Sequence, residues 1–250
     1  EGKIEFKNLT FNYPGVDEPT LKNMSFVVEK GQSIGIIGRT GSGKSTIVDL
    51  LVRLYNVPEG SIFIDGYDIM KLPIKDVREL ISFVPQDNFL FSDTVLNNIA
   101  FSKEELSLED ARKYAKIAGV DGDVMDFPEM YDTVMGERGV TLSGGQKQRV
   151  SISRALAKDS GVLILDDSVS AVDTKTESII LGNLKKLHGE KTFIIIAHRV
   201  STIQNLDKIV LIDEGEVVSI GTHDELYENV QMYKDIVDLQ KLEEQEHEVK

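Results

Sequence analysis

The chain has 250 residues, 41% of them hydrophobic and 28% charged, and no cysteine; that length can bury one sizeable core, the balance excludes a disordered chain, and disulfides and thiolate metal sites are excluded outright. Acidic side chains number 42 against 28 basic ones, a formal net charge of -14, so the surface repels nucleic acid. Any anionic ligand has to be held locally, by backbone N–H groups and one or two cations working against the field of the whole molecule.

From Lys3 to Leu9 and again from Met24 to Val28 apolar and polar residues alternate, with Gly and Pro punctuation from Pro14 to Pro19, and this predicts an antiparallel β subdomain. Ser33 to Ile37, Val162 to Leu165 and Thr192 to Ala197 are short, continuously apolar and rich in Ile and Val. Strands covered on both faces of a parallel sheet read this way. A helix is predicted after the first of them, running through Leu54. Between Phe89 and Lys158 helical spacing takes over, with helices expected at Leu108 to Ala118 and Gly144 to Ala157. Downstream, Thr174 to Leu187 reads as a helix, and Lys208 to Ile212 with Glu216 to Ile220 as a hairpin about Glu214-Gly215. Thr222 and Glu225 have capping-box spacing and open a further helix. The last dozen residues read as a charged face or frayed tail with no specific role. The longest apolar runs are about five residues, such as Phe193 to Ala197, where a bilayer span needs roughly twenty. With no secretory leader and Glu1 at its start, the chain is expected to be a cytosolic piece of something longer.

Gly38-Arg39-Thr40-Gly41-Ser42-Gly43-Lys44-Ser45 lies between a predicted strand and a predicted helix, the P-loop pattern. Glycines let the backbone turn N–H groups inward around phosphate oxygens, and the following helix aims its unpaired donors and positive dipole end at the same place. Lys44 supplies a mobile charge for the β- and γ-phosphates, the Ser45 hydroxyl suits Mg²⁺, and Thr46 can reach an α-phosphate. Many unrelated nucleotide-binding proteins share this loop, so it indicates the ligand and not the job.

Leu163 to Asp167 is an apolar strand ending in two carboxylates, a Walker B candidate in which Asp166 would hold Mg²⁺. Leu142-Ser143-Gly144-Gly145-Gln146 places a hydroxyl residue and two glycines at the opening of a helix. Such an opening can form a second anion site, although by local spacing alone an ordinary N-cap is the better reading. This run resembles the signature motif of ABC transporter ATPases, and it stands in their order: after the phosphate loop and shortly before Asp166. Other stretches are similar to that family too. Tyr13 matches the aromatic that stacks on adenine, though alone it is as well read as a turn tyrosine. Gln86 matches the Q-loop glutamine, which joins the Mg²⁺ shell and senses the membrane partner. Ser170-Ala171-Val172-Asp173 matches the D-loop at the dimer seam. His198 matches the switch histidine that reads the γ-phosphate, although a lone His after a strand is usually structural. Gly136-Glu137-Arg138-Gly139, with Leu90-Phe91 and Thr94-Val95, looks like the exporter branch.

The resemblance covers Ile4 to about Leu239. It implies an α/β P-loop NTPase of ABC type, with a mixed parallel core sheet, an antiparallel β subdomain and an α-helical subdomain. One domain over 1–250 is expected, with the core and β subdomain at 1–88 and 159–250 and the signature-bearing helices at 89–158. It further implies ATP and Mg²⁺ as ligands, a second such domain facing it head to tail, and a transmembrane domain N-terminal on the same polypeptide at the cytoplasmic face of a membrane. In that arrangement Ser143 and Gly145 close over the γ-phosphate of ATP held by the partner. One departure stands out: Asp167 occupies the place of the catalytic base, where most active members have Glu. The side chain is shorter by roughly 1.5 Å, a displacement that can cost roughly a hundredfold in rate. With an intact signature, this looks like the slow-site half of a heterodimeric exporter; a homodimer in which Asp167 still aligns water remains open. So do a soluble ABC ATPase and a nucleotide-binding regulator with little turnover.

Overall fold

The computed structural model describes residues 2–136, 141–169 and 172–248. In chain order the strands are β1 (Ile4–Phe11), β2 (Leu21–Val28), β3 (Ser33–Gly38), β4 (Ile62–Ile64), β5 (Tyr67–Asp68), β6 (Ile81–Val84), β7 (Val162–Asp166), β8 (Thr192–Ile196), β9 (Lys208–Asp213) and β10 (Glu216–Gly221). The helices are α1 (Lys44–Leu51), α2 (Ile74–Glu79), α3 (Val95–Ile99), α4 (Leu108–Ile117), α5 (Asp121–Met125), α6 (Gly144–Ala157), α7 (Thr174–Lys185), α8 (Val200–Ile203), α9 (His223–Asn229) and α10 (Gln231–Glu248). Packing divides the chain into two compact units, Glu1–Arg78 with Thr192–Lys250, and Glu79–Lys191. The change of composition read from the sequence falls at 89 and 158 instead, because β6 and β7 have the apolar character of core strands but pack with the helices.

The first unit holds an antiparallel sheet in the order β2-β1-β4-β5. Alternation along β1 buries Ile4, Phe6, Leu9 and Phe11; the pairing with β2 shifts register between Phe6 and Leu9, where Asn8 takes a left-handed φ of 47° and keeps Leu9 on the core face. In the other sheet of this unit β3 pairs in parallel with both β8 and β9, and β9 turns back antiparallel into β10. Every residue of β3 and of β8 is buried, hence their unbroken apolar runs.

One sequence expectation is corrected here and another is narrowed. Helix α1 stops at Leu51, short of Leu54, because Arg53 adopts a φ of 53° and its guanidinium donates to the carbonyls of Ile69 (3.0 Å) and Leu72 (2.7 Å). The C-terminal stretch, read as a charged face or frayed tail, is a helix with a charged face: α10 runs from Gln231 to Glu248, and its buried residues Tyr233 and Val237 come before the last dozen.

In the second unit β6 and β7 pair in parallel, Ile81 opposite Val162 through Val84 opposite Leu165. Its helices enclose a core that includes Val95, Ile99, Ala111, Ala115, Val150 and Ala157. Ala at 111, 115 and 157 lets the helices approach closely, since a small side chain keeps the packing distance short.

Candidate functional site

In the first unit the phosphate loop begins where β3 ends. A Cβ at Gly38 would collide with the Ile212 carbonyl oxygen, so only glycine permits the chain to leave the sheet there. Gly41 and Gly43 have φ of 79° and 98°. Gly43 is the N-cap of α1, with no side-chain cap and no acidic residue in the first turn. The donors of that turn are therefore presented as an anion site rather than closed by the protein itself. The β-hairpin turn secures the loop from behind: Gly215 N–H donates to the Ser42 carbonyl (3.2 Å) while its own carbonyl accepts from Lys22 N–H (2.8 Å). Lys44 Nζ folds over the loop and donates to the carbonyls of Gly38 and Arg39, each at 2.8 Å. Ser42 Oγ is buried without a hydrogen-bond partner. An unsatisfied buried hydroxyl, a glycine cradle and a lysine that exchanges carbonyls for phosphate oxygens all suit a polyphosphate.

Thr40 and Ser45 are exposed at this loop. The structure joins two candidates that were read separately: the Tyr13 hydroxyl and Thr46 Oγ1 are 3.0 Å apart. Phe11 and Tyr55 meet the Tyr13 ring edge-on, with centroids 5.1 Å away in each case. Burial pushes the Tyr13 phenol up, and burial likewise raises the neighbouring Asp49 carboxyl. His198 follows β8, whose Ile196 is in register with Ile36 of β3, so it emerges at the edge that carries the phosphate loop. Sequence reading missed Gln240, which lies on the stretch of α10 taken for a tail. Its Nε2 donates to the His198 carbonyl (2.7 Å) and its Oε1 accepts from Val200 N–H (2.8 Å). No local pattern announces a glutamine that bridges a turn some forty residues away.

In the second unit the parallel register of β6 and β7 brings Gln86 and the pair Asp166 and Asp167 to one C-terminal edge, the usual place for ligand groups in open α/β sheets. Asp166 and Asp167 are buried, and Asp167 has a φ of 45°, a left-handed conformation that Asp tolerates better than most residues. Gln86 is exposed. The segment after it is held by Asn98, which accepts from Phe91 N–H (2.9 Å) and donates to the Phe91 carbonyl (3.0 Å). Arg154, from the last turn of α6, donates to the Phe89 and Asn98 carbonyls, both at 2.8 Å, and lies over the rings of Phe91 and Phe101. Two stretches read as exporter-like are neighbours: Thr94 bridges Val134, and a Cβ at Gly136 would press on Ser92. Glu137, Arg138 and Gly139 lie outside the described residues, as do Ser170 and Ala171 of the D-loop stretch.

Ser143 caps α6, and the full capping box is present: Gln146 N–H donates to Ser143 Oγ (3.2 Å) and Ser143 N–H to Gln146 Oε1 (3.0 Å). The run that resembles the signature motif thus forms the capped start of a helix, the ordinary N-cap that local spacing favoured. Buried Leu142 anchors the turn, and a Cβ on Gly144 would meet open space. Asp173 caps α7, accepting from Thr176 N–H (3.0 Å) and from its hydroxyl (2.6 Å); those bonds hold its carboxyl below the usual range. Among the described residues no group of three or more His, Cys, Asp or Glu side chains could hold a metal ion.

Comparison with known proteins gives the same picture. The ABC transporter family matches residues 21–170. The ATP-dependent lipid A-core flippase of Escherichia coli K12 is 42% identical over 240 residues, 96% of this chain and 41% of the flippase; the flippase of Shigella flexneri is equally similar. The structure of a bacterial Atm1-family ABC exporter with ATP bound superposes with a TM-score of 0.91 at 39% identity, covering 96% of this chain and 42% of that one. The chain thus spans about two fifths of the length of these relatives. Among the described residues no helix is long and apolar enough to cross a membrane. With residues 21–170 matched by the family and the fold shared with that exporter, the chain belongs to the ABC transporter family as an ATP-binding ATPase domain.

Proposed function

We propose that residues 1–250 act as one ATPase domain of an ABC exporter, at the cytoplasmic face of the membrane, and that ATP is hydrolysed between this domain and a second one facing it head to tail. The observation that carries the reading is the uncapped N-terminus of α1 behind its glycine cradle, with Lys44 folded across it. Tyr13 would take the adenine face, and Gly38, Thr40, Gly41, Ser42, Gly43, Lys44 and Thr46 the phosphates. Ser45, Gln86 and Asp166 would hold Mg²⁺, which neutralises charge on the transferring phosphoryl group. Asp167 would align the attacking water and His198 read the γ-phosphate. Ser143, Gly144, Gly145 and Gln146 would cover the triphosphate of the facing domain, near Asp173. Binding energy that favours the closed pair would then be converted into movement of a membrane domain, through the Gln86 segment that Arg154 grips.

Lys44→Ala in the full-length protein should reduce ATP-dependent phosphate release at this chain's own phosphate loop by about a hundredfold. Unchanged turnover would mean that this loop does not feed hydrolysis. Asp167 supports a finer statement, that this chain's own phosphate loop forms the slow site of an asymmetric pair. Asp167→Glu should then raise turnover at that site by about tenfold or more. It should also lower the melting temperature slightly, because Glu tolerates the left-handed backbone less well. Equal or lower turnover would favour a symmetric pair in which Asp suffices.

A further inference from the structure

The signature turn is a capping box, and its glutamine has two ends. Oε1 accepts from Ser143 N–H, and Nε2 donates to Asp123 Oδ1 at 3.0 Å. The same carboxylate takes Arg149, with Nη1 to Oδ2 at 2.7 Å and Nη2 to Oδ1 at 3.3 Å. Arg149 also donates to the Gly145 carbonyl (3.3 Å) and to the Gly119 carbonyl. Burial alone would push the Asp123 carboxyl up, and the bonds from Arg149 and Gln146 outweigh it, so the group stays ionised. The short helix that carries it is fixed in turn. Arg112 forks onto both oxygens of Asp121 at 2.9 and 3.0 Å, and the Tyr131 hydroxyl donates to the same carboxylate at 2.8 Å.

We propose that Asp123 is a positioning residue for the signature turn: by accepting from Gln146 Nε2 it fixes which end of that amide faces Ser143, and so holds the turn ready to cover ATP bound by the facing domain. This rests on the head-to-tail reading given above. The physical reason is polarity. A carboxylate only accepts, so the amide nitrogen must point at Asp123 and the amide oxygen is left for Ser143 N–H. With the amide reversed, two donors would meet at Ser143, the reciprocal cap would be lost, and the first turn would no longer hold its N–H groups in one orientation. Arg149 balances the charge and ties Gly145 into the same arrangement.

The isosteric variant Asp123→Asn separates polarity from packing, because it keeps shape and offers an NH₂ group where an acceptor is needed. In the full-length protein with its partner domain present, Asp123→Asn should raise the KM for MgATP about fivefold to tenfold, the size of a lost cap. Binding of a fluorescent ATP analogue to this chain's own phosphate loop should not change, while the melting temperature should fall slightly, as loss of the cap and of the Arg149 ion pair requires. In a Gln146→Glu background, residue 146 can accept from both Ser143 and the new amide, so there Asp123→Asn should add less than about a twofold cost. A wild-type KM in Asp123→Asn, or the same cost in both backgrounds, would overturn the proposal. Gly144→Glu puts a carboxylate into open space facing the expected phosphates. If it abolishes turnover while Asp123→Asn is silent, only the role of Asp123 fails; if it leaves turnover intact, the head-to-tail site fails and this inference with it.

Discussion

Two helices begin at anion-oriented turns, and they are built in opposite ways. Helix α1 starts from a left-handed glycine with no cap, and α6 starts from Ser143 with a complete capping box. Neither has an acidic residue in its first turn, whereas α4, α7 and α9 all do. The phosphate loop keeps its donors available because the ligand is to be their cap. The Ser143 turn is closed by its own cap, whose glutamine is held in turn by Asp123, as the proposed head-to-tail site would require of a turn that must hold its shape before a facing nucleotide arrives. Conformational freedom is thus reduced by glycine geometry in one turn and by a side-chain network in the other.

That contrast can be broken experimentally. The largest effect is expected for Gly43→Ala, where a Cβ would lie 2.6 Å from Leu21 Cδ2 at a φ of 98°. Forcing a side chain there costs about 1–3 kcal/mol, and ATP affinity measured by titration should fall by roughly tenfold to a hundredfold; an unchanged Kd would show that the loop geometry is dispensable. Ser143→Ala should cost about 1 kcal/mol of stability and lower the turnover of the complete transporter about fivefold, while ATP binding to the chain's own loop stays the same. Loss of that binding in Ser143→Ala would merge the two turns into one site.

The bracing predicts a pH signature as well. Arg112, with help from Tyr131, holds Asp121 below the usual carboxylate range. A depressed folded value stabilises the unit at neutral pH, and this is lost as pH falls through the ordinary value of about 4 and below. Asp121→Asn should therefore melt earlier than wild type at pH 7, and the gap should narrow as pH is lowered below the ordinary carboxylate range; a constant gap would argue for lost packing instead. The smallest effect is expected for Gln240→Ala. Removing the bridge to His198 and Val200 should lower turnover by at most about threefold and leave ATP affinity alone, as one or two partly solvated hydrogen bonds warrant.

Much of the site was legible because its chemistry is local. Glycines at 38, 41 and 43 and Lys44 act through backbone geometry set within a few residues, so their spacing pointed to a phosphate loop, whereas the Ser143 turn read locally as a helix N-cap and became a signature only through the family resemblance. Arg154 and Gln240 were not legible. Each makes its contacts with a segment tens of residues distant, and an arginine in the last turn of a helix or a glutamine in a charged stretch looks like solvated surface. The end of α1 failed for the same reason, since what stops it is Arg53 reaching the carbonyls of Ile69 and Leu72.

The chain's own order of residues indicated its family, a phosphate-binding loop and the period of the longer strands and helices, since these follow from side-chain alternation and from which residues permit a given φ. Only the tertiary structure decided that Tyr13 meets Thr46, that Gln86 shares an edge with Asp166 and Asp167, and that Asp123 accepts from Gln146. Such juxtapositions depend on sheet register and helix packing, which sum many weak contacts across the unit and leave no mark at any single position.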